Sequence, residues 1–135
     1  MQSKIQVSPD HTLLEVHLSG NVTGQELISL YDKVSNEVEC VAQIWDFLGA
    51  DSIEISNTEM HQIAGVSRRL SSKSKIQKQA IVGHRETLRG LDEMYDLISD
   101  KWVGRPNHFV SRTFGTLLEA YDWVQHGEQL SKSTL

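Results

Sequence analysis

Three tetrapeptides of one kind, Thr23-Gly24-Gln25-Glu26, Ser56-Asn57-Thr58-Glu59 and Thr116-Leu117-Leu118-Glu119, each open a run of apolar residues at helical spacing. In such a capping box the hydroxyl accepts the third helical N–H, and the glutamate reaches back to the cap's own N–H. The runs that follow are Leu27, Leu30, Tyr31 and Val34; Met60, Ile63, Ala64 and Leu70; and Leu117, Ala120, Tyr121 and Val124. Their period is near 3.6, so each helix presents one apolar face to a core. A fourth helix is expected over residues 86–102, where Leu88, Leu91, Tyr95, Ile98 and Trp102 share a stripe and Gly104-Arg105-Pro106 stops the chain.

Between the helices lie segments that read as strands. Ile5 and Val7 alternate with polar residues, and Pro9-Asp10-His11 reads as a turn. Leu14, Val16 and Leu18 then face one side of a second strand, with Glu15, His17 and Ser19 opposite and Gly20-Asn21 as its end. Residues 41–47, 79–83 and 108–114 are short apolar runs of the kind found in buried strands. The expected order is therefore β-β-α-β-α-β-α-β-α. That order gives a single α/β domain with a mixed, mostly parallel sheet of four to five strands, flanked by about four helices. The first strand is expected antiparallel, at or near an edge. The domain is expected over residues 1–126, with a polar tail over 127–135.

A chain of 135 residues buries enough surface for one core without staples. The single cysteine, Cys40, excludes an internal disulfide and a thiolate metal cluster. Its expected state is a buried or half-buried thiol. Thirteen Lys plus Arg against 18 Asp plus Glu leave a net charge of −5, which argues against non-specific nucleic-acid binding. No apolar run is long enough for a transmembrane segment, and Met1-Gln2-Ser3-Lys4 enters a strand pattern with no apolar signal core. A cytoplasmic location is expected. The six histidines show no HxH or HExxH spacing, so no metal site is expected. No Gly-rich phosphate loop and no Gly-x-Ser-x-Gly motif is present, and no cofactor is expected.

At Ile44-Trp45-Asp46-Phe47-Leu48-Gly49-Ala50 the chain resembles the STAS domains of anti-sigma factor antagonists, more closely their SpoIIAA-like branch, often described as STAS/SEC14-like. Leu18-Ser19-Gly20 before the first helix, Ala80-Ile81-Val82-Gly83, and Phe114 followed by Ala120-Tyr121-Asp122-Trp123-Val124 add to that resemblance. It implies a four- or five-stranded sheet flanked by helices and no intrinsic catalytic machinery. In antagonists of this family a serine at the start of the helix after the Asp-Phe-x-Gly strand is phosphorylated, and that serine falls on Ser56. The antagonist pattern there is Asp-Ser-Ser-Gly, whereas this chain has Glu54-Ile55-Ser56-Asn57, so a dedicated kinase is not implied. The SEC14-like side implies a hydrophobic ligand between the sheet and a movable helix.

Each candidate site has a plainer alternative. Ser56 is a phosphorylation candidate, because a phosphate at a helix N-terminus meets free N–H groups and the positive end of the dipole; alternatively it is only a cap. Asp46, Gly49, Asp51 and Ser52 form a candidate partner- or ligand-binding loop after the central strand; alternatively they are a surface turn, with Asp46 bonded to nearby backbone N–H groups. Met94, Tyr95, Ile98 and Trp102 line an apolar pocket in one reading and belong to the core in the other. Arg68, Arg69, Lys73, Lys75 and Lys78 form a basic cluster that faces an anionic partner or simply suits a helix C-terminus.

The leading expectation is a non-enzymatic, STAS-like regulatory or protein-interaction module acting through the Gly49 to Ser56 segment and the second helix, with a phosphorylation switch as one form of it. The second is a carrier or sensor of a small hydrophobic, lipid-like ligand. An uncharacterised hydrolase is the third. A homodimer is compatible with the hairpin edge and the amphipathic helices.

Overall fold

The computed structural model describes residues 1–37, 40–73, 78–89, 91 and 110–127. Strand β1 (Gln2–Val7) pairs antiparallel with β2 (Leu13–Thr23), from Gln2 opposite Ser19 to Val7 opposite Leu14. The turn between them is tied by short polar side chains. Asp10 Oδ1 accepts from the Ser8 hydroxyl at 2.7 Å, the Thr12 hydroxyl at 2.7 Å and the Thr12 N–H at 3.1 Å. His11 takes the left-handed conformation at φ 60° to close it.

Helix α1 (Gly24–Glu37) follows β2, and the chain returns as β3 (Ala42–Glu54), parallel to β2. Helix α2 (Asn57–Lys73) precedes β4 (Lys78–Val82), parallel to β3. Residues 85–89, with Leu91 still helical, form α3. Strand β5 (Val110–Phe114) pairs parallel with β4, and α4 (Leu117–Asp122) runs into a π-helical turn over Trp123–Gly127. The sheet order is β1-β2-β3-β4-β5, with the antiparallel strand at one edge as expected. The expected element order holds among the described residues, and α3 starts where the fourth apolar stripe begins.

The period-2 and period-3.6 patterns meet on one sheet face. Leu14, Val16 and Leu18 of β2, Trp45 and Phe47 of β3, and Ile81 of β4 pack under Leu27, Leu30, Tyr31 and Val34 of α1 and Met60, Ile63 and Val66 of α2. Leu88 and Leu91 complete this core. Tyr31 stacks on Trp45 with centroids 4.2 Å apart and planes 14° from parallel, an arrangement worth about 0.5–1.5 kcal/mol beyond burial. A buried polar chain threads the same face. The Ser111 hydroxyl donates to Gln79 Oε1 at 3.0 Å, Gln79 Nε2 to Gln43 Oε1 at 3.2 Å, and Trp45 Nε1 to the same Gln43 oxygen at 2.9 Å. On the opposite face α4 covers a smaller core, in which Ala120 and Trp123 pack on Ile44, Ala80 and Val82.

Two expectations about strand ends are corrected. Gly20-Asn21 does not end β2, and residues 48–54 are not a loop: β2 continues to Thr23 and β3 to Glu54, paired through Asn21 with Ser52 and Thr23 with Glu54. The register slips between His17 and Ser19 and again between Gly20 and Asn21, so β3 carries an extra residue at each point. Such bulges let pairing continue where a regular ladder would part. Gly20, at φ 80°, supplies one of the bends. The last helix carries its expected stripe from Leu117 to Val124, with its final residues widened into the π turn. There the Lys78 ammonium donates to the carbonyls of Trp123 at 3.0 Å and Val124 at 3.1 Å. Lys78 therefore serves the carbonyl end of α4 and is not part of a solvated basic cluster.

Candidate functional site

Ser56 caps α2 as its sequence implies. Its hydroxyl accepts the Glu59 N–H at 3.1 Å, and Glu59 Oε1 accepts the Ser56 N–H at 2.9 Å. The serine is exposed. The Ser56 N–H, as the largest cause, holds the Glu59 carboxyl below its ordinary range, helped by the Ser56 and Gln25 side chains. Gln25 lies in the first turn of α1, so the N-termini of α1 and α2 adjoin. Gly24 shows how closely: a Cβ there would stand 2.4 Å from the Glu59 carboxylate. Thr23 and Glu26 make the matching box on α1, with the Glu26 N–H 3.3 Å from the Thr23 hydroxyl and the Thr23 hydroxyl 2.9 Å from Glu26 Oε1. Two positive helix ends thus emerge side by side from the C-terminal ends of β2 and β3, the end of a parallel sheet at which ligands and partners are usually met.

Asp51 and Ser52 lie on the last part of β3, Asp51 exposed and Ser52 half-buried. The Ser52 hydroxyl donates to Asn21 Oδ1 at 2.9 Å and so ties β3 to β2. Gly49 is explained by close approach of β2, since a Cβ would stand 3.0 Å from the Leu18 carbonyl and 3.2 Å from Ser19 Cβ. Asp46 and Gly49 do come together, lining a groove of about 310 Å³ on the outer sheet face with Gln2, Ser3, Lys4, His17 and Ser19. Asp51, Ser52 and Ser56 do not line it. The four residues expected in one binding loop therefore divide, Asp46 and Gly49 at this groove and Asp51 and Ser52 farther along β3.

Asp46 bonds backbone, as its plainer reading implied: Oδ1 accepts the Leu48 N–H at 2.8 Å. Its other oxygen, Oδ2, meets His17 Nδ1 at 2.6 Å. His17 Nε2 in turn meets Glu15 Oε1 at 3.2 Å, and the Tyr121 hydroxyl of α4 donates to that same oxygen. Burial first, then Glu15, pushes the Tyr121 hydroxyl up to about 12, so it remains a donor. Glu15, His17 and Tyr121 were not among the candidates read from the sequence. A signal was present, because an aspartate inside the apolar run Ile44–Phe47 needs a cross-strand partner, and His17 faces outward on the neighbouring strand.

Cys40 is buried, and burial pushes its thiol up, away from the reactive thiolate. Among the described residues no group of three or more His, Cys, Asp or Glu is arranged to hold a metal ion. Met94, Tyr95, Ile98 and Trp102 lie outside the described residues. None of the described helices is long and apolar enough to cross a membrane.

No family model and no curated protein matches the chain. Solved structures do. An uncharacterised protein of the DUF3478 family with a SpoIIAA-like fold, from Shewanella loihica PV-4, matches 91% of this chain and 92% of its own at 16% identity and a TM-score of 0.55. The anti-sigma factor antagonist SpoIIAA in its unphosphorylated form matches 93% of this chain and 99% of its own, at 12% identity and a TM-score of 0.55. An anti-sigma factor antagonist from Mycobacterium paratuberculosis matches 92% and 93%, at 16% identity and a TM-score of 0.60. The fold is SpoIIAA-like over nearly the whole chain, as the resemblance implied.

Proposed function

From a SpoIIAA-like fold, we propose that the chain is a non-enzymatic regulatory module that docks a protein partner where α1 and α2 emerge from β2 and β3, with Ser56 as its phosphorylation switch. One observation carries the reading. The first exposed hydroxyl of the helix after β3 lies at a helix N-terminus in a fold shared with two anti-sigma factor antagonists. A phosphate on Ser56 would add nearly two negative charges beside the Glu59 carboxylate. It would meet the N–H groups of the first turn and repel the Glu59 carboxylate that holds the Ser56 N–H, so the local charge and shape of the docking surface change together. The non-enzymatic part of the reading is supported by the two anti-sigma factor antagonists that share the fold. A cytoplasmic site of action goes with this reading.

The test uses a photo-crosslinking amino acid placed at position 51 and, as a control, at position 118, where Leu118 is 80% exposed on α4. In native lysate a discrete protein adduct is expected from position 51 and not from 118, and Ser56→Asp is expected to abolish it. Equal labelling from both positions, or an adduct indifferent to Ser56→Asp, would refute the reading.

A further inference from the structure

His17 stands between two carboxylates on the outer sheet face, 2.6 Å from Asp46 Oδ2 through Nδ1 and 3.2 Å from Glu15 Oε1 through Nε2. Every element around it contributes a titratable group. Lys4 of β1 is its cross-strand neighbour in register, Asp46 of β3 faces it from the other side, Glu15 shares its strand, and Tyr121 of α4 reaches it through Glu15. The side chains are only partly accessible, 26% for His17, 19% for Glu15 and 11% for Asp46, so water replaces these bonds poorly.

We propose that Glu15, His17, Asp46 and Tyr121 form a proton-operated catch that fastens α4 to the outer face of the sheet. A neutral imidazole has one N–H and one lone pair, whereas an imidazolium donates from both nitrogens. Here both nitrogens face carboxylate oxygens, so the hydrogen bonds are complete only when the ring carries both protons. When one is lost, the shorter bond to Asp46 is the one retained, and the Nε2 lone pair is left against Glu15 Oε1. That oxygen is the one holding the Tyr121 hydroxyl, so the repulsion acts directly on the tie to α4.

Besides this tie, Phe114 and Arg112 lie against the Trp123 ring that follows α4, and Leu13 and Leu48 join the small core beneath it. With its π turn the helix spans residues 117–127, short for a helix on its own, and it depends on its Thr116 cap, on Lys78 at the π turn and on the apolar patch of Ile44, Ala80 and Val82 beneath it. The direction follows from the proton count. The catch is closed while the imidazole is charged and both carboxylates are ionised. Removing a ring proton from His17, or adding one to either carboxylate, breaks one of its bonds. Lys4 opposes the ring's positive charge from β1 and tempers the closed state. An open catch uncovers an apolar strip of sheet.

Imidazole 15N NMR of the full chain reads both ring nitrogens of His17, assigned by the signal missing in His17→Gln. Hydrogen exchange in the same samples reads the Ala120 and Tyr121 amides. Corrected for intrinsic rates, protection of these amides is expected to fall about tenfold as His17 deprotonates, the factor for losing one charge-assisted hydrogen bond of modest net strength. Amides of β4 are expected to stay unchanged. In Tyr121→Phe, His17 is expected to titrate without any parallel change in α4. Level α4 protection across the His17 titration of the native chain overturns the proposal, and so does an undiminished pH response in Tyr121→Phe. If that variant fails to fold, the native titration alone decides.

Discussion

Replacing Ser56 by alanine isolates the structural work of a residue that is also the proposed switch. The substitution removes the oxygen that accepts the Glu59 N–H at 3.1 Å and leaves Glu59 bonded to the backbone N–H of residue 56. Losing a hydroxyl cap of this kind costs about 1 kcal/mol. A chain of 135 residues unfolds with an entropy of about 0.28 kcal/mol per kelvin, so Ser56→Ala is expected to lower Tm by roughly 3.5 °C. Ser56→Asp keeps an acceptor and adds a charge that the helix dipole favours by some tenths of a kcal/mol, but Glu59 stands beside it and offsets that gain. Its Tm is therefore expected within about 2 °C of the parent. Thermal and urea unfolding followed by far-UV circular dichroism at neutral pH provide the measurement. The pairing matters for function, because an aspartate that unfolds nothing yet abolishes partner capture acts at the surface. An alanine variant with the parent's Tm and urea midpoint would show that the box contributes nothing and would refute the reasoning.

Gln79→Leu keeps the volume of a fully buried side chain but removes its bonds to Ser111 and Gln43 and its 3.5 Å contact with the Tyr31 hydroxyl. It is expected to cost about 2 kcal/mol in urea unfolding, and a double-mutant cycle with Gln43→Leu is expected to show coupling of at least about 0.5 kcal/mol; strict additivity would dissolve the network. Asp10 is held at about 2, first by the Ser8 hydroxyl and then by Thr12. Since that lies below the ordinary carboxylate value, its contribution to stability is present above the unfolded titration and is lost as pH falls through about 2. Carboxyl 13C NMR is expected to show that midpoint moving up in Ser8→Ala, and an unmoved midpoint would remove the Ser8 hydroxyl as its cause.

The capping boxes were legible because they are local: a hydroxyl and a glutamate three residues apart meet within one turn, whatever the rest of the chain does. The same holds for the faces of β2, where period-2 alternation separates Leu14, Val16 and Leu18 from Glu15, His17 and Ser19, and for the stripes of α1 and α2. The ends of β2 and β3 were not legible. Gly20 reads as a strand end and Gly49 as part of a loop, and only the pairing of two bulged strands shows that one supplies a bend and the other sits in mid-strand against a neighbouring carbonyl. Register is a property of two strands, and neither carries it alone.

The chain's own order of residues thus determined the alternation of strand and helix, the edge position of β1 and the capping role of Ser56. Tertiary structure alone decided that Asp46 belongs with His17, Glu15 and Tyr121, residues separated along the chain by 29 positions between His17 and Asp46 and by 106 between Glu15 and Tyr121. The physical reason is range. Caps and periodicity act across a few covalent bonds, whereas a carboxylate buried in a sheet finds its partner only after strands have paired and a distant helix has settled over them.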